Sequence, residues 1–120
     1  MKTHVRAVVA YAAGRLISGR TASSIYDYSQ NGHRMIDGTV GPNSVNVFDY
    51  KQACHFGGSG SGNSFDLFHY GESCHISLVV KGSHFEGFDY GSSSHYSGDV
   101  NGTSISVYDY GESMHFSYLL

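Results

Sequence analysis

The sequence predicts a mainly β fold: tandem β-hairpin repeats of about 20 residues closed into a ring, with one N-terminal α-helix. Three observations carry this. The first is a repeated stretch, Val107-Tyr108-Asp109-Tyr110-Gly111-Glu112-Ser113-Met114-His115-Phe116, whose earlier copies begin at Ile25, Val47, Leu67 and Gly87, at spacings of 22, 20, 20 and 20 residues. A period of that size marks an architecture in which one small unit cannot bury its apolar face alone. The second is composition: 16 glycines, many serines and a single proline point to tight turns, and Tyr and Phe without Trp suit strands. The third is residues 3–19, the only segment with a helical pattern.

A chain of 120 residues is long enough for one domain, here 1–120, burying about two thirds of its unfolded surface. Its 40% hydrophobic content excludes wholesale disorder. Five of the seven Lys and Arg precede residue 35, so no basic stripe runs along the repeats and nucleic acid is excluded as a partner. A small ligand, a protein partner or a second copy of the chain, should the ring close between chains, stay open. Eight histidines can change the charge of the mildly acidic repeats near pH 6. Cys54 and Cys74 occupy the same repeat position and read as two free, half-buried thiols; a disulfide between them requires closely stacked neighbouring repeats.

In the predicted helix, Thr3 is a candidate cap and Gly19 a stop. Val5, Val8, Val9, Ala12, Leu16 and Ile17 share one face, with Arg6, Ala10, Ala13 and Arg20 opposite, so the helix is expected to dock on or through the repeats. Met1-Lys2 and Arg6 before Ala7–Ala13 resemble the start of a secretion signal, but Arg15 interrupts the apolar run and no small-residue cleavage site follows. The segment is too short and too charged for a membrane span.

The units run 23–43, with a small insertion near Gly41-Pro42-Asn43, then 44–63, 64–83, 84–103 and 104–120. Each reads as a hairpin. In the third unit Phe65, Leu67 and His69 alternate with Asp66, Phe68 and Tyr70, Gly71-Glu72-Ser73 forms a three-residue turn, and Cys74–Val80 returns. Lys81-Gly82-Ser83 and Val100-Asn101-Gly102-Thr103 turn the chain into the next units. About ten antiparallel strands follow. Left open they expose two edges, which favours closure. Ser23 stands where the other units carry Val45, Phe65, Phe85 and Ile105, and Leu120 completes the last strand, as suits ends that meet. The hairpin repeat, with its aromatic–Asp approach to a glycine turn and apolar return strand, resembles the unit of the 4-fold beta flower family of small bacterial proteins. The resemblance covers residues 25–120. It implies a flower-like closed assembly and brings no activity with it.

Candidate chemistry centres on recurring Asp and His: Asp27/His33, Asp49/His55, Asp89/His95 and Asp109/His115. With a three-residue turn, Asp109 faces His115 across the hairpin, about 5 Å apart at Cβ, as a carboxylate–imidazole latch. Five equivalent catalytic sites in so small a chain are implausible, so the repetition favours structure or binding over catalysis. The third unit sets His69 opposite His75, a pair able to chelate Zn²⁺ and the only candidate centre for a metal- or His-dependent enzyme. Otherwise no cofactor is implied. Ten aromatics at two fixed positions (Tyr28, Tyr50, Tyr70, Tyr90, Tyr110; Tyr26, Phe48, Phe68, Phe88, Tyr108) read first as packing between repeats. The alternative places the tyrosines outward, lining sugar-binding clefts of a multivalent glycan binder. Gly57–Gly62 lacks the features of a phosphate loop and reads as a flexible connection. The leading functional expectation is a non-enzymatic binding or structural module.

Overall fold

The computed structural model describes residues 1–120. A helix, α1 (Thr3–Ser18), precedes ten strands: β1 (Ser24–Asp27), β2 (Gly32–Val40), β3 (Ser44–Asp49), β4 (Cys54–Ser61), β5 (Ser64–His69), β6 (Cys74–Lys81), β7 (His84–Asp89), β8 (Ser94–Asn101), β9 (Ser104–Asp109) and β10 (Met114–Leu119). Each strand pairs antiparallel with its sequence neighbours, and β1 pairs with β10, so the wall is a closed barrel without edges. The ring therefore closes within one chain.

Side-chain alternation divides the wall cleanly. Phe65, Leu67 and His69 of β5 are buried, while Asp66 is exposed and Phe68 half-exposed. An eight-stranded barrel is filled by its own side chains; ten strands leave a wider interior. Here α1 occupies it. Every residue from Val5 to Arg15 is buried, on all faces of the helix, so the one-sided pattern expected from the sequence gives way to full enclosure. Small residues make this fit: Ala7, Ala10, Ala12, Ala13 and Gly14 keep the helix narrow where wall side chains such as Ile105 approach. Gly19 ends α1 in the left-handed conformation (φ 71°), as expected, its N–H donating to Arg15 O. Thr3 does not cap: Lys2 holds the N-cap position without a side-chain hydrogen bond.

Two turn types alternate. At one barrel end, Gly62, Gly82 and Gly102 open two-residue turns with φ of 62–63°, a conformation glycine adopts without steric cost. At the other end each hairpin loop contains four residues, not the three expected. Tyr110–Ser113 links Asp109 to Met114, and the last loop residue is left-handed in every unit: Asn31, Ala53, Ser73, Ser93 and Ser113. The glycine run also departs from expectation. Gly57, Gly58 and Gly60 lie within β4, where a Cβ would overlap Val45 O, Asp66 O or the Phe65 ring. The run is strand because the wall and its inward aromatics leave no room there for side chains.

Candidate functional site

One residue of turn length decides where every polar side chain points. With four-residue loops, Asp109 pairs with Met114, and His115 pairs with Tyr108. The same holds for Asp27/Gly32, Asp49/Cys54, His69/Cys74 and Asp89/Ser94. Asp and His therefore project to opposite faces, because the side-chain period in a strand is two. The expected Asp–His latches of Asp27/His33, Asp49/His55, Asp89/His95 and Asp109/His115 do not form.

In the first unit, contrary to the expected latch, His33 does not face Asp27. His33 pairs with Tyr26 and is exposed, whereas Asp27 pairs with Gly32 and is buried. The His33 ring instead meets the Tyr26 ring, 4.9 Å away between centroids. His55, His95 and His115 are likewise exposed, each against the aromatic across its hairpin: Phe48, Phe88 and Tyr108.

The aspartates instead form an inward ring at one barrel end, at most 2% exposed. Each caps its own loop: Asp27 Oδ1 accepts from Ser29 N, Asp49 Oδ1 from Lys51 N, Asp89 Oδ1 from Gly91 N and Asp109 Oδ1 from Gly111 N, at 2.8–3.1 Å. These are Asx-type turns. His69 takes the same place, its Nδ1 accepting from Glu72 N at 3.1 Å. Two of the carboxylates also meet buried cations. Arg6 of α1 lies 3.0 Å from Asp109 and stacks 3.4 Å over the Phe116 ring, and Arg34 lies 3.0 Å from Asp49. Asp27 Oδ2 and His69 Nε2 have no hydrogen-bond partner.

His69 and His75 therefore lie on opposite faces of the wall, one 1% exposed and the other with a side chain 62% exposed, and they form no chelate. No group of three or more His, Cys, Asp or Glu side chains gathers to hold a metal ion. Burial pushes the His69 pKa down, with the nearby His4 ring adding to the effect. Cys54 and Cys74 are free thiols whose pKa burial pushes up, away from thiolate formation. They face the loop of the next unit: a Cβ on Gly71 would stand 2.8 Å from Cys54 Sγ, and one on Gly91 2.7 Å from Cys74 Sγ.

The aromatics carry the outer face. Tyr28, Tyr50, Tyr70, Tyr90 and Tyr110 are 52–62% exposed, so these five are not packed between repeats but lie at the surface. Each stacks edge-on against the aromatic two positions earlier, and that ring meets the histidine across the hairpin at 4.6–4.9 Å between centroids. Five Tyr–aromatic–His clusters thus encircle one end of the barrel. Between them lie polar outward positions, among them Ser59, Asn46, Asp66 and Ser106.

Shallow grooves lie between neighbouring clusters. One of about 490 Å³ is lined by Ser77, Val79, Glu86, Phe88, His95, Ser97 and Tyr110. A second, of about 420 Å³, is lined by Asp37, Thr39, Asn46, Phe48, Tyr50 and His55 at corresponding wall positions. The sequence reading missed Asp37, Thr39 and Asn46. The signal was a departure from the repeat: the residue paired with the outward aromatic of the next hairpin is Asp37 in the first unit but Gly57, Ser77 and Ser97 in the following three. Comparison with family models, curated proteins and solved structures finds no match for this chain.

Proposed function

We propose that the chain is a non-enzymatic, multivalent binding module that engages a polysaccharide through the outer belt of its barrel. The observation that supports this most is the fivefold repetition of an exposed Tyr beside an aromatic–His pair, with serine, asparagine and acidic side chains between the clusters. Tyr offers a large, rigid, amphipathic surface at low entropic cost, and Ser, Gly and Asn add adaptable hydrogen bonding. A polymer of repeated sugar units presents apolar C–H faces to the rings and hydroxyls to the polar residues. Several weak contacts on one chain add by effective concentration, raising avidity by about 10²–10⁴ without any strong single site. The buried carboxylates point the other way, into loop caps and ion pairs, which disfavours catalysis. The likeness of the hairpin to the 4-fold beta flower unit suits a scaffold of repeats but names no ligand.

Affinity electrophoresis in gels containing soluble β-glucan, galactomannan or xylan tests the reading. Retardation by at least one polymer is expected. The exposed double substitution Tyr70→Ala/Tyr90→Ala should weaken it about tenfold while leaving the fold intact. No retardation in any of the three gels, or retardation unchanged by the substitutions, overturns it.

A further inference from the structure

We infer that the groove on the outer face of β2 and β3 is the primary subsite for a neutral pyranose sugar, held by Asp37 and Asn46 and stacked on Phe48 and Tyr50. The inference rests on the belt being the ligand-binding surface and breaks its fivefold equivalence.

Asp37 pairs with Phe48, and Thr39 with Asn46, so four outward side chains form a square on adjacent strands, with opposite members about 5 Å apart at Cβ. Tyr50 and His55 bound it, with ring centroids 5.1 and 4.8 Å from Phe48. The groove volume of about 420 Å³ falls within the usual range for small-molecule sites. Asp37 Oδ1 accepts from Gly38 N at 2.8 Å, which orients the carboxylate and leaves acceptor capacity outward. The Asn46 side chain is exposed and supplies both donors and acceptors. An acceptor-only group beside a donor–acceptor group matches two neighbouring hydroxyls, each able to give and to take a hydrogen bond.

The other outward carboxylates of the wall are already engaged. Asp66 lies 3.4 Å from His75, Glu86 is 2.5 Å from Lys81, and Asp99 is 3.1 Å from His84. Asp37 has no such partner, and no Lys or Arg lines its groove, so an anionic sugar finds no counter-charge there. The backbone beneath is special as well. Gly38 adopts φ 138° in mid-strand, where a Cβ would overlap Asn46 O. From inside the barrel, Arg15 Nη1 donates to Gly38 O at 2.9 Å and anchors the strand under the groove. A glycine held open inside a strand marks a bulge or a close approach. Here it is a close approach to β3, and the Gly38 N–H also holds the Asp37 carboxylate.

The test is titration of the full ¹⁵N-labelled chain with methyl α-mannopyranoside, methyl β-glucopyranoside and methyl β-galactopyranoside, following amide shifts. At least one sugar should give saturable shifts centred on residues 37–39 and 46–48. Asp37→Ala and Asn46→Ala should each weaken that binding at least about tenfold, and Ser83→Ala, in the exposed β6–β7 turn, should leave it unchanged. Absence of saturable shifts at these residues up to about 50 mM of every sugar overturns the inference. Shifts spread evenly over all five clusters, or binding indifferent to both substitutions, also overturn it. Retention by polysaccharide in those last cases leaves the belt standing without a primary subsite, whereas loss of polysaccharide retention by the wild type removes both.

Discussion

His69 shows how much one residue type decides inside this barrel. It stands in a ring otherwise made of aspartates and performs their loop-capping task, because its Nδ1 accepts the Glu72 N–H. Its other nitrogen is buried without a partner, at a cost of about 1–3 kcal/mol when that atom must be desolvated. Burial first, and the neighbouring His4 second, hold its pKa below the ordinary imidazole value. The folded state therefore keeps His69 neutral over a range in which the unfolded chain already binds a proton. As pH falls through the ordinary range near 6.5, the unfolded state gains the proton first and stability drops, by at most about 1.4 kcal/mol per pH unit from this group. The loss levels off below the depressed folded pKa. The substitution His69→Asn retains an acceptor for Glu72 N and removes the titration. Urea denaturation from roughly pH 7 to 5 should give a shallower fall in stability for that variant than for the wild type. Parallel curves would show that His69 titrates alike in both states.

Among the strands, the fourth unit shows how bulk is distributed across a hairpin. Phe85 pairs with Gly98 and Tyr96 with Gly87, so each inward aromatic lies across from a glycine. The Tyr96 hydroxyl then donates to Ser77 O at 2.7 Å on β6. A Cβ at Gly87 would overlap Ser77 O, which is backbone, and stand 2.5 Å from the Tyr96 hydroxyl. Gly87→Ala should therefore lose more than the usual overpacking cost of about 1–3 kcal/mol, because backbone and a buried hydrogen bond must both move. Thermal or chemical denaturation reads this directly. A neutral result would mean that β6 and β7 separate more freely than their eight- and six-residue spans suggest. The same logic of complementary volumes links Cys54 with Gly71 and Cys74 with Gly91 at the loop end.

Over the whole molecule, the seam is the weakest part of the wall. β1 has only four residues and pairs with β10 through Tyr26↔Leu119 and Asp27↔Tyr118, whereas the other strand pairs share four to six partners. Register also shifts there. Asp109 pairs with Tyr96 of the preceding hairpin, but Asp27 pairs with Tyr118 rather than with Phe116, which holds the equivalent place in the last hairpin. A matching two-residue offset at β2–β3 sets Asp49 against Ile36 instead of Arg34, and it accounts for the 22-residue first spacing. Even offsets keep every side chain on its proper face, so the barrel gains stagger without exchanging inside for outside. Native-state hydrogen exchange should find β1 and β10 opening at lower free energy than β5–β8. Equal protection around the ring would show that α1, which contacts β1, β2, β8 and β9, closes the barrel as strongly as the hydrogen bonds do.

The sequence by itself determined the repeat, the hairpins, the helix and its glycine stop. It pointed to a closed ring too, because alternation, turn residues and a period near 20 are local signals that agree with one another, but closure within one chain was decided by the β1–β10 pairing. It did not determine which way the Asp and His side chains face. That rested on a loop of four residues rather than three, and one residue of register inverts a strand, as His33 and Asp27 show on opposite faces of the first hairpin. Tertiary structure decided between the packed and the outward placement of the repeat tyrosines, because α1 and inward side chains such as Leu67, Phe85 and Tyr96 fill the interior. It also made the Gly57–Gly60 run a strand, because the facing backbone and Phe65 lie too close for side chains. The Asp37–Asn46 groove arises the same way: residues nine apart in sequence come together only when β2 and β3 pair, and the two-residue offset sets Asp37 against Phe48 and Thr39 against Asn46, leaving Asp37 and Asn46 on the diagonal.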